Sequence, residues 1–409
     1  MAEESWQGTN LPRVGGFNRA VVLDAIRRGG GVSRVELAQR TGLTAQTMSN
    51  IVRALIADGL VSESGHAPST GGKRRVLLQV VPEACSAVGL HLDPERITGV
   101  LLDLAGGVRH TASRRVPAGA EPAAVISALA RTCKQLVSRV DPDEVLGAGL
   151  AVPGPLDAAQ RTVLSPPNLT GWPAVPLADA VSERIGLPVV MDNDATAAAI
   201  GERWAGGEQR AGSFAYAYLG SGVGLGVVLA DRVHRGVSGN AGEIGHVPAG
   251  GTRLCHCGRR GCLEAYCSMR AIVADSGGGD GGPIAESYAR LCRRAAAGEA
   301  DAAKVLRQAA TRLGRSLAAV VGVLDVDRVV LGGPALRHVG DLVRDRVAAV
   351  LDAQVWAPEV RPVRVQTALI GEHAGAVGAA SLVLDRSYSP RLTTLLGAET
   401  GPDVSAGRR

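Results

Sequence analysis

Four residues near the middle of the chain have the types and spacing of a metal site. His246 precedes Cys255, Cys257 and Cys262, a Cys-x-Cys-x4-Cys run with the histidine nine positions ahead of it. Thiolates and an imidazole are the soft and borderline donors of tetrahedral Zn²⁺. Gly258 and Gly261 let the loop turn tightly enough for Cys257 and Cys262 to reach one ion. Four protein ligands close the coordination shell, whereas a catalytic zinc keeps a position for water, so the set predicts a structural ion. Cys267 and His256 are near enough to stand in for one of the four, and a group of buried, reduced cysteines is the plain alternative.

A second set has the chemistry of polyol binding. Asn193-Asp194 falls where a strand ends and a helix begins, and a carboxylate there can accept a sugar hydroxyl. Glu243, His246 and Glu264 add acceptors and a donor. Each taken alone could be a helix cap or a surface residue; together they offer the several directional hydrogen bonds that a sugar ring needs. The run Glu243-Ile-Gly-His246, followed by Cys255-His-Cys-Gly-Arg-Arg-Gly-Cys-Leu-Glu264, resembles the signature of the ROK family of repressors, open reading frames and sugar kinases. The resemblance spans roughly residues 83–385, and the loop between His246 and Cys255 is one residue shorter than the family's. It implies that zinc folds a loop presenting sugar-binding residues, with His246 touching metal and sugar. It also implies that Asp194 matches the base that activates the sugar hydroxyl in the family's kinases. Asn168 is a weaker addition to this set.

The phosphate side departs from the family. Its kinases carry Asp-x-Gly-Gly-Thr where this chain has His91, then Asp93, Pro94 and Glu95. Two carboxylates repel an incoming triphosphate, and a proline removes an amide donor. Pro334, after Leu331-Gly-Gly, stands where the family usually continues with glycine. Gly220–Gly226 keeps a glycine-rich turn, which by itself says little, since glycine also permits tight turns without a ligand. Loss of ATP chemistry is the expectation.

The elements that must position these groups read as α/β from Ala87 onward, apolar strands alternating with alanine-rich helices. The resemblance implies a two-lobed, duplicated actin-like ATPase (ribonuclease H-like) fold, its lobes meeting near 195–212. Ahead of it, residues 1–82 read as a winged helix-turn-helix. Phe17–Gly31 is a helix with Val22, Leu23 and Ile26 inward, Ser33-Arg-Val-Glu36 is a capping box, and Thr44 starts a helix running to about Asp58. That last helix puts Met48, Ile51, Val52 and Leu55 on one side and Gln46, Ser49, Asn50 and Arg53 on the other, placed to read base edges. Two strands around Pro68–Arg75 form a wing with Lys73, Arg74 and Arg75 at its base, placed to meet phosphates. A small protein-interaction module with a solvated basic turn is the alternative.

Composition agrees with a folded, multi-domain protein: 409 residues exceed one ordinary core, and 46% hydrophobic residues exclude a disordered chain. Seven cysteines, an odd number with four of them within thirteen residues at the metal motif, suit metal and thiol better than disulfides. No apolar run is long enough for a membrane span and Met1-Ala-Glu-Glu is no signal peptide, so a cytoplasmic protein is expected. Gly277–Pro283 reads as a surface loop and residues 386–409 as a disordered tail. The expectation is therefore a non-enzymatic transcriptional regulator, most simply a repressor, that binds an operator in double-stranded DNA as a homodimer or homotetramer. Its effector is a sugar or sugar phosphate. The competing reading is a ROK sugar kinase with an added DNA-binding domain.

Overall fold

A computed structural model describes residues 11–66, 74–116, 119–166, 169, 171–278 and 282–390. The amino-terminal unit begins with α1 (Leu11–Gly29), the short strand β1 (Val32–Ser33), α2 (Arg34–Thr41) and α3 (Ala45–Ala57). Ser33 is the N-cap of α2: its hydroxyl accepts the amide of Glu36 while the Glu36 carboxylate accepts the amide of Ser33. Gly42, in the left-handed region at φ 70°, ends that helix, and Thr44 caps α3 by accepting the amide of Thr47. β2 (Val61–His66) and β3 (Val76–Val80) form the wing, and β1 pairs with β3 to make a third strand that the sequence pattern does not announce. Met48, Val52 and Leu55 are buried beside Val22, Leu23 and Ile26.

The body repeats one topology twice. In the first lobe β4 (Ser86–Asp93), β5 (Arg96–Asp103) and β6 (Val108–Arg115) form an antiparallel meander. The chain continues through α4 (Pro122–Val137), β7 (Val145–Val152), the small hairpin β8 (Leu156–Asp157) and β9 (Thr162–Val163), α5 (Leu177–Ile185) and β10 (Val189–Asn193). β7 adds parallel to β4 and β10 parallel to β7, giving the order β10-β7-β4-β5-β6. α6 (Asp194–Ala205) then crosses to the second lobe, where β11 (Phe214–Leu219), β12 (Val223–Leu229) and β13 (Arg232–His234) repeat the meander. After α7 (Glu264–Cys267), α8 (Met269–Asp275), α9 (Ile284–Ala296) and α10 (Ala300–Leu324), the strand β14 (Arg328–Gly332) pairs parallel with β11. α11 (Gly340–Gln354) and β15 (Arg364–Thr367) follow, and the order is β13-β12-β11-β14-β15. α12 (Ala374–Tyr388) returns to the first lobe as α6 left it. Two halves with the same strand order, each closed by a helix that crosses over, are the duplicated actin-like arrangement.

α6 and α12 cross at the centre, and the crossing is made of small side chains. A Cβ on Gly378 would stand 2.2 Å from the carbonyl oxygen of Ala197, and one on Gly149 would stand 1.8 Å from that of Ala379. Glycine is required at both positions for the helices and sheet to approach this closely. The chain stays helical through Tyr388, beyond the end at Asp385 that the sequence suggests. Lys73, Asn168, residues 279–281 and the tail from 391 onward lie outside the described residues.

Candidate functional site

The cleft between the lobes is lined from both sides. β10 delivers Asn193 and Asp194 to the start of α6, where both side-chain oxygens accept the amide of Ala195, at 2.9 and 2.8 Å. Capping therefore fixes the first site residues, as strand-to-helix junctions do in open sheets. Across from them a Cβ on Gly154 would lie 3.0 Å from Glu243 Oε1 and 3.3 Å from Asn193 Nδ2, so this bare stretch of backbone separates the two side chains. Glu243 reaches the open cleft, yet desolvation by its walls, then the charges of Asp194 and Glu264, hold its carboxyl above the usual range. Glu264 is buried: Oε2 accepts the amide of Val223 at 3.1 Å and Oε1 lies 3.1 Å from His256 Nδ1. The residues expected at a sugar site are thus neighbours, Glu243 near Asn193, Asp194 and Glu264, and His246 near Glu264, which also fastens its own loop.

Asn240 is not among the residues that the sequence singles out. Its side-chain amide both donates to and accepts from the backbone of Leu156, at 2.8 Å each way, tying the β8–β9 hairpin to the loop that carries Glu243. The partners are 84 positions apart, and nothing local marks the pairing.

Behind that loop the donor atoms of His246, Cys255, Cys257 and Cys262 all lie within 4.8 Å of one another. Cys257 and Cys262 Sγ are 3.7 Å apart, as are Cys255 Sγ and His246 Nδ1. Two sulfurs at the zinc–thiolate distance of a tetrahedral ion stand about 3.8 Å apart, so the cradle has the right size. Desolvation pushes Cys255 up to about 12. At Cys257 it is outweighed by hydrogen bonds from the amide and guanidinium of Arg259, which bring the thiol down to about 7. Cys267, by contrast, points away and donates to the carbonyl of Ala309. His256 belongs to an overlapping group with His246 and Glu264, between metal cradle and cleft.

The phosphate-side hairpin has an occupant of its own. β4 and β5 turn through Pro94-Glu95, and the Glu95 carboxylate crosses the cleft to accept the amide of Ile284 at the start of α9, at 3.3 Å. Arg115 on β6 pairs with Glu286 beside it at 3.2 Å.

On the amino-terminal unit, Gln46, Asn50 and Arg53 are exposed along α3 and Ser49 is half-buried. Gln46 and Arg53 both donate to Asn50 Oδ1 at 3.3 Å. Arg74 and Arg75 are exposed where the wing begins.

The ROK family profile matches residues 87–386, and a MarR family profile matches residues 16–75. The xylose repressor of Caldicellulosiruptor bescii is 28% identical over 387 residues, covering 91% of this chain and 96% of its own. A ROK family transcriptional regulator, described as a homologue of the E. coli MLC protein, superposes with a TM-score of 0.73 at 21% identity, covering 94% of this chain and all of its own. A ROK family glucokinase from Streptomyces griseus, solved with glucose and AMPPNP, superposes with a TM-score of 0.64 at 30% identity. It covers 73% of this chain and 98% of its own.

Proposed function

The chain belongs to the ROK family, and from that premise we propose how its parts work as a sugar-responsive, DNA-binding transcriptional repressor. Residues 1–82 are the DNA-binding head, a MarR-type winged helix, and residues 83–385 the effector-binding body. The repressor and regulator relatives span both parts, whereas the glucokinase covers 73% of the chain, which leaves a length the size of the head without a counterpart. One observation carries the choice of regulator over kinase: the hairpin that would cradle a triphosphate carries Asp93, Pro94 and Glu95 and is fastened to α9 instead.

Asn193, Asp194, Glu243, His246 and Glu264 hold the effector, a sugar or sugar phosphate. Gln46, Ser49, Asn50 and Arg53 read the major groove, and Lys73, Arg74 and Arg75 meet the backbone. An exposed amide side chain such as Asn50 suits adenine, at about 1–3 kcal/mol of discrimination for a good bidentate contact. His246, Cys255, Cys257 and Cys262 hold one structural Zn²⁺, which supplies cross-linking of the loop and no chemistry. A homodimer or homotetramer in the cytoplasm, reading a palindrome, completes the proposal; no described helix is long and apolar enough to cross a membrane.

The test is Asp194→Asn. Operator affinity measured against increasing xylose and glucose should fall for the unsubstituted protein and stay level for the variant. Release of DNA by the variant at the same sugar concentration as the parent would remove Asp194 from the site.

A further inference from the structure

His91 stands where the family's kinases have an aspartate, and its surroundings give it a task. It is buried, 7% exposed, at the end of β4. Its ring rests on Gly375 in the first turn of α12, where a Cβ would come within 2.6 Å of the ring, and meets Tyr218 edge-on at 6.1 Å. These contacts aim Nε2 at Asp194 Oδ2, 4.0 Å away. The other oxygen of Asp194 is engaged by the amide of Ala195.

A separation of 4.0 Å is too long for a direct hydrogen bond. It is right for one oxygen between them, about 2.8 Å from each atom. Asp194 can only accept there and an imidazole Nε2–H can donate, so the bridging group must donate once and accept once, as a hydroxyl does.

We propose that His91 is an effector-binding residue, donating Nε2–H to the sugar hydroxyl whose proton Asp194 accepts. This rests on the reading of the cleft as the sugar site. In a kinase that hydroxyl would be directed at a phosphoryl group; here an imidazole holds the place of the electrophile, and the hydroxyl is bound rather than activated. The pair also selects its ligand: a sugar lacking that hydroxyl leaves a half-buried carboxylate and a buried N–H facing one another across a gap too long for a direct bond.

Calorimetric titration of the full chain with xylose and with glucose tests it, using two substitutions chosen for shape. His91→Phe keeps a ring against Gly375 and removes the donor; binding of whichever sugar the parent takes should weaken about tenfold or more. His91→Gln carries an amide nitrogen near the position of Nε2 and should stay within about threefold of the parent. Should the Phe variant fail to fold, His91→Asn, whose amide stops short of Asp194, takes its place with the same expected loss. If His91→Phe and His91→Asn bind within twofold of the parent while Asp194→Asn binds weakly, His91 touches no ligand; the inference falls and the site stands. If the parent binds neither these sugars nor their phosphate esters, the reading of the site as an effector site falls and the inference goes with it.

Discussion

Cys257 is the exposed member of the metal cradle, and the one whose loss disturbs least of the core. A serine there keeps the shape and removes a thiolate, so Cys257→Ser separates metal binding from packing. The expected result is loss of stoichiometric zinc by elemental analysis. Because Glu243, His246 and Glu264 sit on the segments that the cradle ties together, sugar affinity should fall by about 10–100-fold, the usual effect of loosening groups around a metal. Full zinc content in the variant would show that the other three ligands, or His256, suffice. The cysteine spacing makes this site legible in the sequence alone, because a metal loop writes its ligands into one short segment. His256 can be named as a neighbour from the same segment, but not its contact with Glu264. That contact depends on how the loop folds back, and the sequence does not state it.

At the scale of elements, the capping box of α2 fixes where that helix begins by satisfying the amides of Ser33 and Glu36. Ser33 is 2% exposed, and its amide and hydroxyl hold the Glu36 carboxyl below the ordinary 4.5. A carboxylate depressed in this way adds stability above its unfolded pKa and loses it as pH falls through the folded value. Ser33→Ala should therefore cost about 0.5–2 kcal/mol at neutral pH, measured by urea unfolding, with the gap to the parent narrowing once the pH drops below the carboxyl's range. A gap that stays constant into acid would mean that the cap acts through the bond from the Glu36 amide to the Ser33 hydroxyl, with no share from the carboxylate. This box, the Thr44 cap and the buried stripe of α3 are all readable from the chain, since each is a relation among residues three or four apart. α9 follows the same rule, burying Tyr288, Leu291, Cys292 and Ala295 at helical spacing. β15 does not, being a four-residue edge strand with no fully buried residue. Nor can the turn at Pro94-Glu95 be read as a strap, because Ile284, its partner, lies 189 positions on.

For the whole molecule, the head is seated on one lobe and wired to the other. Arg27 donates to the carbonyl of Trp204 and lies 3.9 Å over its ring, at the end of the crossing helix α6. Arg28 reaches Asp231, in the turn between β12 and β13, at 3.0 Å, and Arg40 pairs with Glu208. Between these contacts a cavity of about 710 Å³, lined by Phe17, Arg203 and Arg235 among others, leaves room for displacement. If sugar binding turns the second lobe about the α6–α12 crossing, Asp231 moves and Arg28 follows or lets go. A ligand shifts such an equilibrium only by its differential affinity for the two states, and couplings of about 5–150-fold are usual. Asp231→Asn tolerates the left-handed backbone and can still accept the amide of Gly212 while removing the charge that pairs with Arg28. That part-exposed pair adds little to stability, yet the ratio of operator affinities with and without saturating sugar should shrink toward one. A ratio equal to that of the parent would assign the coupling to another contact. The two-lobed architecture is legible through family resemblance; this wiring is not, since it joins residues from distant parts of the chain.

The buried side chains beneath the head have a consequence for modularity. Val22, Leu23, Ile26 and Leu55 of the head belong to the same apolar cluster as Leu102, Leu104, Trp204, Val377 and Leu384 of the body. Head and first lobe should accordingly melt as one cooperative unit rather than as beads on a string. A domain joined by a tether can be exchanged by recombination at the tether. This one cannot, because its floor is built from segments scattered as far as α12. A change of operator specificity in this lineage would therefore come more readily by substitution along the face of α3 than by wholesale replacement of the reader.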